Sequence, residues 1–158
     1  MIEIVEKHLN GMQIPFEYKI NDLNRHSFYF DLKLKKGIIQ CVIGVNYQEE
    51  YALLCFLNPT PFPENRKAEV SEYLHRVNYN IPQGAFIIDY NIHNVGFHTY
   101  FSLTNDEFHN DNRFIEAFKF AKDIMDEYFH GVLTVGYGEK KPEDVLYEIL
   151  LGFNPRWN

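Results

Sequence analysis

Cysteine is scarce in this chain. Cys41 and Cys55 are the only two among 158 residues, too few for a disulfide framework. With no secretory signal ahead of them, the expected state is two reduced, buried thiols. Basic residues are in the minority: 15 Lys and Arg stand against 22 Asp and Glu, a net charge of −7. A nucleic-acid surface needs clustered Lys and Arg. The only basic runs, Lys33, Lys35 and Lys36 and then Lys140 and Lys141, fall at predicted turns where solvated charge accounts for them. No nucleic-acid partner is expected. Long apolar runs are missing as well. Acidic residues interrupt the apolar ones in Met1-Ile2-Glu3-Ile4-Val5-Glu6-Lys7, so this segment reads as neither signal peptide nor membrane span. A cytoplasmic chain with no membrane partner is the expectation. No linker, repeat or low-complexity tract divides the sequence, and 1–158 reads as a single domain.

What is abundant is aromatic: 14 Phe and 11 Tyr, each of which removes a large apolar area from water when buried. Ile2, Val5, Leu9 and Met12 recur at helical intervals and predict a first helix ended by Gly11 to Pro15. An extended piece at Phe16 to Ile20 and a polar loop follow, and the period then changes to two. Phe28, Phe30, Leu32 and Leu34 place an apolar residue at every second position, as do Ile39, Cys41, Ile43 and Val45. A two-residue turn at Lys36-Gly37 pairs Leu34 with Ile39, Leu32 with Cys41 and Phe30 with Ile43, placing the apolar sets on one face. A three-residue turn at Tyr47, Gln48 and Glu49 leads into a third strand, Tyr51 to Leu57, and sets Cys55 opposite Cys41.

Asn58-Pro59-Thr60-Pro61-Phe62-Pro63 breaks that strand, because proline gives no donor to a ladder and constrains the residue before it. A helix starting at Pro63 buries Val70, Tyr73, Leu74 and Val77 and stops at Asn78, Asn80 and Pro82. A second β unit runs from Ala85 to Tyr90 and returns over Val95 to Leu103, with Tyr90 against Val95, Ile88 against Phe97 and Phe86 against Thr99. Thr104 and Glu107 have capping-box spacing ahead of the longest helix, whose start could lie as late as Asp111. Its stripe is Phe114, Phe118, Ala121, Met125, Tyr128, Val132 and Val135, ending at Gly136-Tyr137-Gly138. A last short helix begins at Pro142 and carries Val145, Leu146, Ile149 and Leu150.

Catalytic patterns are missing from this framework. His8, His26, His75, His93, His98, His109 and His130 are spread over at least five predicted segments, and no pair has zinc-site spacing. No G-x-S-x-G occurs, and both cysteines fall inside apolar strands. Gly131 to Tyr137 has the glycine spacing of a phosphate loop but places Tyr137 where the essential lysine belongs. Glu116, Asp123, Asp126 and Glu127 read as the solvated side of the long helix. The expectation is no catalytic residue, no metal and no cofactor.

The segment Val77-Asn78-Tyr79-Asn80-Ile81-Pro82-Gln83-Gly84-Ala85-Phe86-Ile87-Ile88-Asp89, an Asn-containing helix end joined to a G-x-F-x-x-D strand, resembles the YbjN-domain family of bacterial sensory transduction regulators. The long helix, its Gly-containing exit and the short helix opened by Pro142-Glu143 add to the likeness. The element order α-β-β-β-α-β-β-α(-α) resembles the type III secretion chaperone-like fold. The resemblance implies an α+β domain, an antiparallel sheet of about five strands with helices mainly on one face, and no known catalytic residues. It also implies homodimers that bind peptide segments of other proteins. A non-catalytic protein-binding domain, chaperone-like or regulatory adaptor, is therefore expected, with a structural or regulatory subunit of a larger assembly as the alternative and a small-ligand-binding protein or enzyme as the third reading.

The residues expected to meet a protein partner or client lie on the sheet face opposite the core. That face is read as Tyr29, Asp31 and Lys33, then Gln40 and Val42, then Ala52, Leu54 and Phe56. Val42 and Leu54 face one another in the expected register. Tyr29, Val42, Leu54 and Phe56 are its candidate contact residues, in a patch that interaction sites often present, unless the C-terminal helix and Trp157 cover it or it forms a dimer seam.

Overall fold

A computed structural model of the chain describes residues 1–138 and 140–152. The elements follow the order α1 (Ile2–Gly11), β1 (Glu17–Ile20), β2 (His26–Leu34), β3 (Gly37–Asn46), β4 (Tyr51–Leu57), α2 (Lys67–Asn78), β5 (Ala85–Asp89), β6 (Asn94–Ser102), α3 (Glu107–Tyr137) and α4 (Pro142–Gly152). The six strands make one antiparallel sheet in the order β1-β2-β3-β4-β6-β5. The domain is α+β, as expected, with six strands where about five were anticipated. The sixth is the extended piece after α1, which pairs with the first half of β2.

The chain reaches β5 by leaving the sheet. Asn58 turns it out of β4: its backbone N–H still reaches Val95 across the sheet, while its side chain holds both the N–H and the C=O of Thr60. The proline segment and a 3-10 turn at Glu64–Arg66 lead into α2, which starts four residues later than Pro63 predicts. This excursion carries β5 to the outer edge and lets β6 return between β5 and β4.

Helical stripes behave as periodicity requires. Val70, Tyr73, Leu74 and Val77 of α2 are buried, and so is every residue of the α3 stripe from Phe114 to Val135. In α1 the inward residues are Ile4, Val5 and Leu9, while Met12 lies outside the helix and largely in solvent. α3 is capped by Asp106, whose carboxylate accepts from the His109 N–H. Thr104, the predicted cap, is instead tied to the side chain of Asn110. All four helices contribute to one core cluster with the sheet face formed by Phe28, Phe30, Leu32, Leu34, Ile39, Cys41, Ile43, Ala52, Leu54, Phe56, Val95, Phe97, Phe101 and Phe86.

Three hairpin registers differ from those expected, with unequal consequences. The turn between β2 and β3 is Lys35-Lys36, so Leu34 pairs with Gly37 and Phe30 with Cys41. In the last hairpin Ile88 pairs with Val95 and Phe86 with Phe97. Both are slips by two residues, which keep each side chain on its expected face. The turn between β3 and β4 is one residue longer than expected, 47–50, and pairs Val42 with Cys55 and Cys41 with Phe56. The side chain of Asn46 accepts from the N–H groups of Gln48 and Glu49, and Glu50 closes the turn with φ 54. A slip by one residue turns a whole strand over. Ala52, Leu54 and Phe56 therefore point into the core, at 0%, 0% and 1% exposure. Leu54 and Phe56, expected as partner-contacting residues, are core residues.

Candidate protein-interaction face

With the helices gathered on one side, the other face of the sheet has no cover among the described residues. Alternation assigns its members. β2 gives Tyr29, Asp31 and Lys33, β3 gives Ile38, Gln40, Val42 and Gly44, and β4 gives Tyr51, Leu53, Cys55 and Leu57. From β6 come Gly96, His98 and Tyr100, and from β5 Ala85 and Ile87. Tyr29 is 40% exposed, Ile87 42%, Ile38 59% and Tyr100 66%, whereas Val42, Leu53, Cys55 and Leu57 are half-buried by their neighbours alone. Single exposed apolar residues need no explanation, but a contiguous set across five strands does.

Of the four expected contact residues, the structure brings Tyr29 and Val42 together as direct cross-strand partners on this face. In the places meant for Leu54 and Phe56 stand Leu53, Cys55 and Leu57. The sequence reading missed these and also Tyr100 and Ile87, and it placed His98 on the face opposite the apolar set without counting it as a contact. The signal that could have exposed the β4 residues was Asn46, whose short polar side chain favours the longer turn by bonding its own backbone two and three residues on.

The charges on this face are confined to its flanks: Glu17 and Lys19 on β1, Asp31 and Lys33 on β2, and Asp89 at the end of β5. A concavity of about 580 Å³ runs beside them, lined by Pro15, Phe16, Glu17, Tyr29, Asp31, Gln40, Val42 and Leu57 among others. The centre, around Val42, Leu53, Cys55 and Leu57, carries no formal charge. An apolar centre with a polar rim is the usual anatomy of a protein interface.

The two sheet edges are protected differently. At β5 the Asn78 carboxamide accepts from the Phe86 N–H at 2.7 Å and donates to the Phe86 C=O at 2.9 Å, taking the place of a further strand. At the other edge β1 covers only His26 to Tyr29. Leu34 and Gly37 close a two-residue turn and so bond each other, which leaves the N–H and C=O groups of Asp31 and Lys33 pointing outward. Two charged residues on a short free edge discourage strand pairing.

Two ionisable groups away from the flanks, Cys55 and His98, are held in neutral forms. Burial pushes the Cys55 thiol up to about 11, far from the thiolate a nucleophile needs. Burial likewise raises Cys41, on the core side. Desolvation lowers the pKa of His98, so its imidazole is neutral at physiological pH.

Elsewhere, the pairings are structural. Asp111 binds Lys7 at 2.9 Å and His8 at 2.5 Å, joining α1 to α3. Those two hydrogen bonds hold its carboxyl below the usual carboxylate range. Asp126 is not on a solvated face: its side chain is 3% exposed. Burial pushes its pKa up, but hydrogen bonds from Lys122 and the Lys35 N–H outweigh this and hold it low. Glu127 is half-buried, one carboxylate oxygen lacks a hydrogen-bond partner, and desolvation raises its pKa. The glycine-spaced run from Gly131 to Tyr137 lies inside α3. Among the described residues no three His, Cys, Asp or Glu side chains converge as a metal site, and no helix is long and apolar enough to cross a membrane. Trp157 lies outside the described residues.

No family model matches the chain, and no curated protein matches it.

Proposed function

We propose that this chain is a non-catalytic protein-binding domain, a chaperone-like or regulatory adaptor of the YbjN type, working in the cytoplasm as a homodimer. The observation that carries the reading is the open sheet face with Val42, Leu53 and Leu57 at its uncharged centre. Protonated thiols and a neutral His98, which stands across the strands from Cys55, support a surface built for contact over one built for proton or group transfer. The element order and the segment from Val77 to Asp89 support the type III secretion chaperone-like comparison.

A second reading, a fixed subunit of a larger assembly, is favoured by the breadth of the face, whose apolar members span five strands and suit a folded surface better than a single peptide. Affinity capture from native extract, with Leu53→Glu run beside the unaltered chain, tests both. Clients held in extended segments and lost in Leu53→Glu support the adaptor. One stoichiometric folded partner supports the subunit. Capture that is the same for both chains removes the open face as the binding site.

A further inference from the structure

We infer that the open sheet face is the seat of a second copy of this chain, packed sheet on sheet about a two-fold axis that runs along the strands between β3 and β4. The inference rests on the proposed protein-binding reading and gives that face its occupant.

Self-complementarity at the centre is the first argument. β3 and β4 are registered Gln40 with Leu57, Val42 with Cys55 and Gly44 with Leu53. An axis midway between the two strands exchanges the members of each pair. It sets Leu53 of one copy over Gly44 of the other, Val42 over Cys55, and Leu57 over Gln40. Gly44 presents no side chain there, and a Cβ built on it would meet only open space. The bulkiest central side chain thus faces the emptiest central position, and does so twice by symmetry. Isologous contacts require such a match between a surface and its own rotated image.

Size is the second argument. Six strands spaced about 4.8 Å apart, with roughly 20 Å of strand length, give a plan area on the order of 600 Å². Side-chain relief adds to this, bringing the face near the ~800 Å² per partner of a standard interface. Face-to-face packing of two sheets at about −30° forms a sandwich about 10 Å thick, and all the flanking charges then fall on its rim. The same axis brings the flank carrying Tyr29 over the flank carrying His98. Tyr29 stands across from Val42, and His98 from Cys55. One exposed ring thereby covers a half-buried imidazole.

The test takes the full chain through size-exclusion chromatography with light scattering from low micromolar to several hundred micromolar. Leu53→Glu and Val42→Glu run beside it, and circular dichroism verifies that each variant is folded. Iodoacetamide alkylation provides a local readout: Cys55 is on the open face, while Cys41, at 2% exposure, is buried in the core. A concentration-dependent dimer is expected, with Cys55 alkylation slowing at least threefold as the dimer forms. Both effects should vanish in the two charged variants. A chain that stays monomeric throughout overturns the second copy. So does a dimer that Leu53→Glu and Val42→Glu leave intact, or one in which Cys55 reacts at an unchanged rate. A monomer that copurifies with a partner, and loses it on Leu53→Glu, overturns only the second copy and leaves the binding face standing. An unchanged oligomeric state together with unchanged copurification in Leu53→Glu overturns both.

Discussion

At Gly131 a methyl group has nowhere to go. A Cβ there would sit 2.0 Å from the hydroxyl oxygen of Tyr73 and 2.4 Å from the ring carbon bearing it. Tyr73 cannot withdraw, because it is fully buried and its hydroxyl donates to the Tyr128 carbonyl at 2.9 Å. Gly131→Ala should therefore cost about 2–3 kcal/mol as overpacking, against the gain in helix propensity that alanine usually brings. Urea denaturation measures it, and an alanine variant as stable as the parent would mean that α2 and α3 are not locked at this point. The buried stripes of both helices were legible in the sequence because they repeat every three to four residues. The Tyr73–Gly131 lock was not, since nothing local in either helix encodes which turn of the other it meets. At His98 the argument concerns protons. Its folded pKa is lowered by desolvation, so between the unfolded value of about 6.5 and the lower folded value the unfolded chain binds a proton that the folded chain does not. Stability is complete above that window and falls as pH drops through it. His98→Gln should flatten this part of the curve, as measured by thermal melts from pH 7.5 to pH 5. An unchanged slope would mean that His98 does not carry the loss.

Strand edges and turns decide more here than strand interiors. Asn78 stands at the end of α2 and supplies β5 with the hydrogen bonds of a missing neighbour, so Asn78→Ala leaves the Phe86 N–H and C=O to solvent or to nothing. A loss of about 1–2 kcal/mol is expected. The Phe86 amide should exchange much faster with deuterium while the Val95 and Phe97 amides in the adjoining strand keep their protection. Equal acceleration in both strands would indicate global destabilisation and no special role for the carboxamide. The segment around Asn78 stood out in the sequence only as part of a family likeness, and the structure gives it a physical task. Other elements were legible to different degrees for a definable reason. The hairpins of β2 with β3 and of β5 with β6 slipped by two residues, which preserves faces, so their inward sets were read correctly except for Tyr90, which lies beyond β5 and is exposed. The turn after Asn46 was misjudged by one residue, and the same apolar run, Tyr51 to Leu57, was then assigned to the wrong side. A run with apolar residues at nearly every position, as in Ala52-Leu53-Leu54-Cys55-Phe56-Leu57, has no alternation to correct such an error.

For the molecule as a whole, two layers and one core mean that adjacent residues of β4 belong to different worlds. Leu54 lies under the helices with no exposed surface, and Leu53 lies on the open face opposite Gly44 and Tyr100. Replacing each in turn with Asp asks the fold which side is inside. Leu54→Asp places a carboxylate without a partner in an apolar core, which costs several kcal/mol out of the ~5–15 kcal/mol that holds a typical domain together. The variant should be unfolded or molten at 25 °C. Leu53→Asp puts the same charge where water reaches it. Measured at concentrations low enough to keep the chain monomeric, it should change stability by no more than about 1 kcal/mol while adding charge to the patch proposed to bind a partner. Circular dichroism and denaturant titration of the pair give the answer in one comparison. If Leu53→Asp unfolds and Leu54→Asp does not, β4 is in the odd register first read from the sequence. The open face is then built from Ala52, Leu54 and Phe56, and the pairing of Leu53 with the open position at Gly44 goes with it. If the outcome is as expected, the side that water sees is rich in Leu, Val and Tyr although stability makes no demand for them there. Selection for a contact is then the physical reason for keeping an apolar surface that a solitary sheet would do better without.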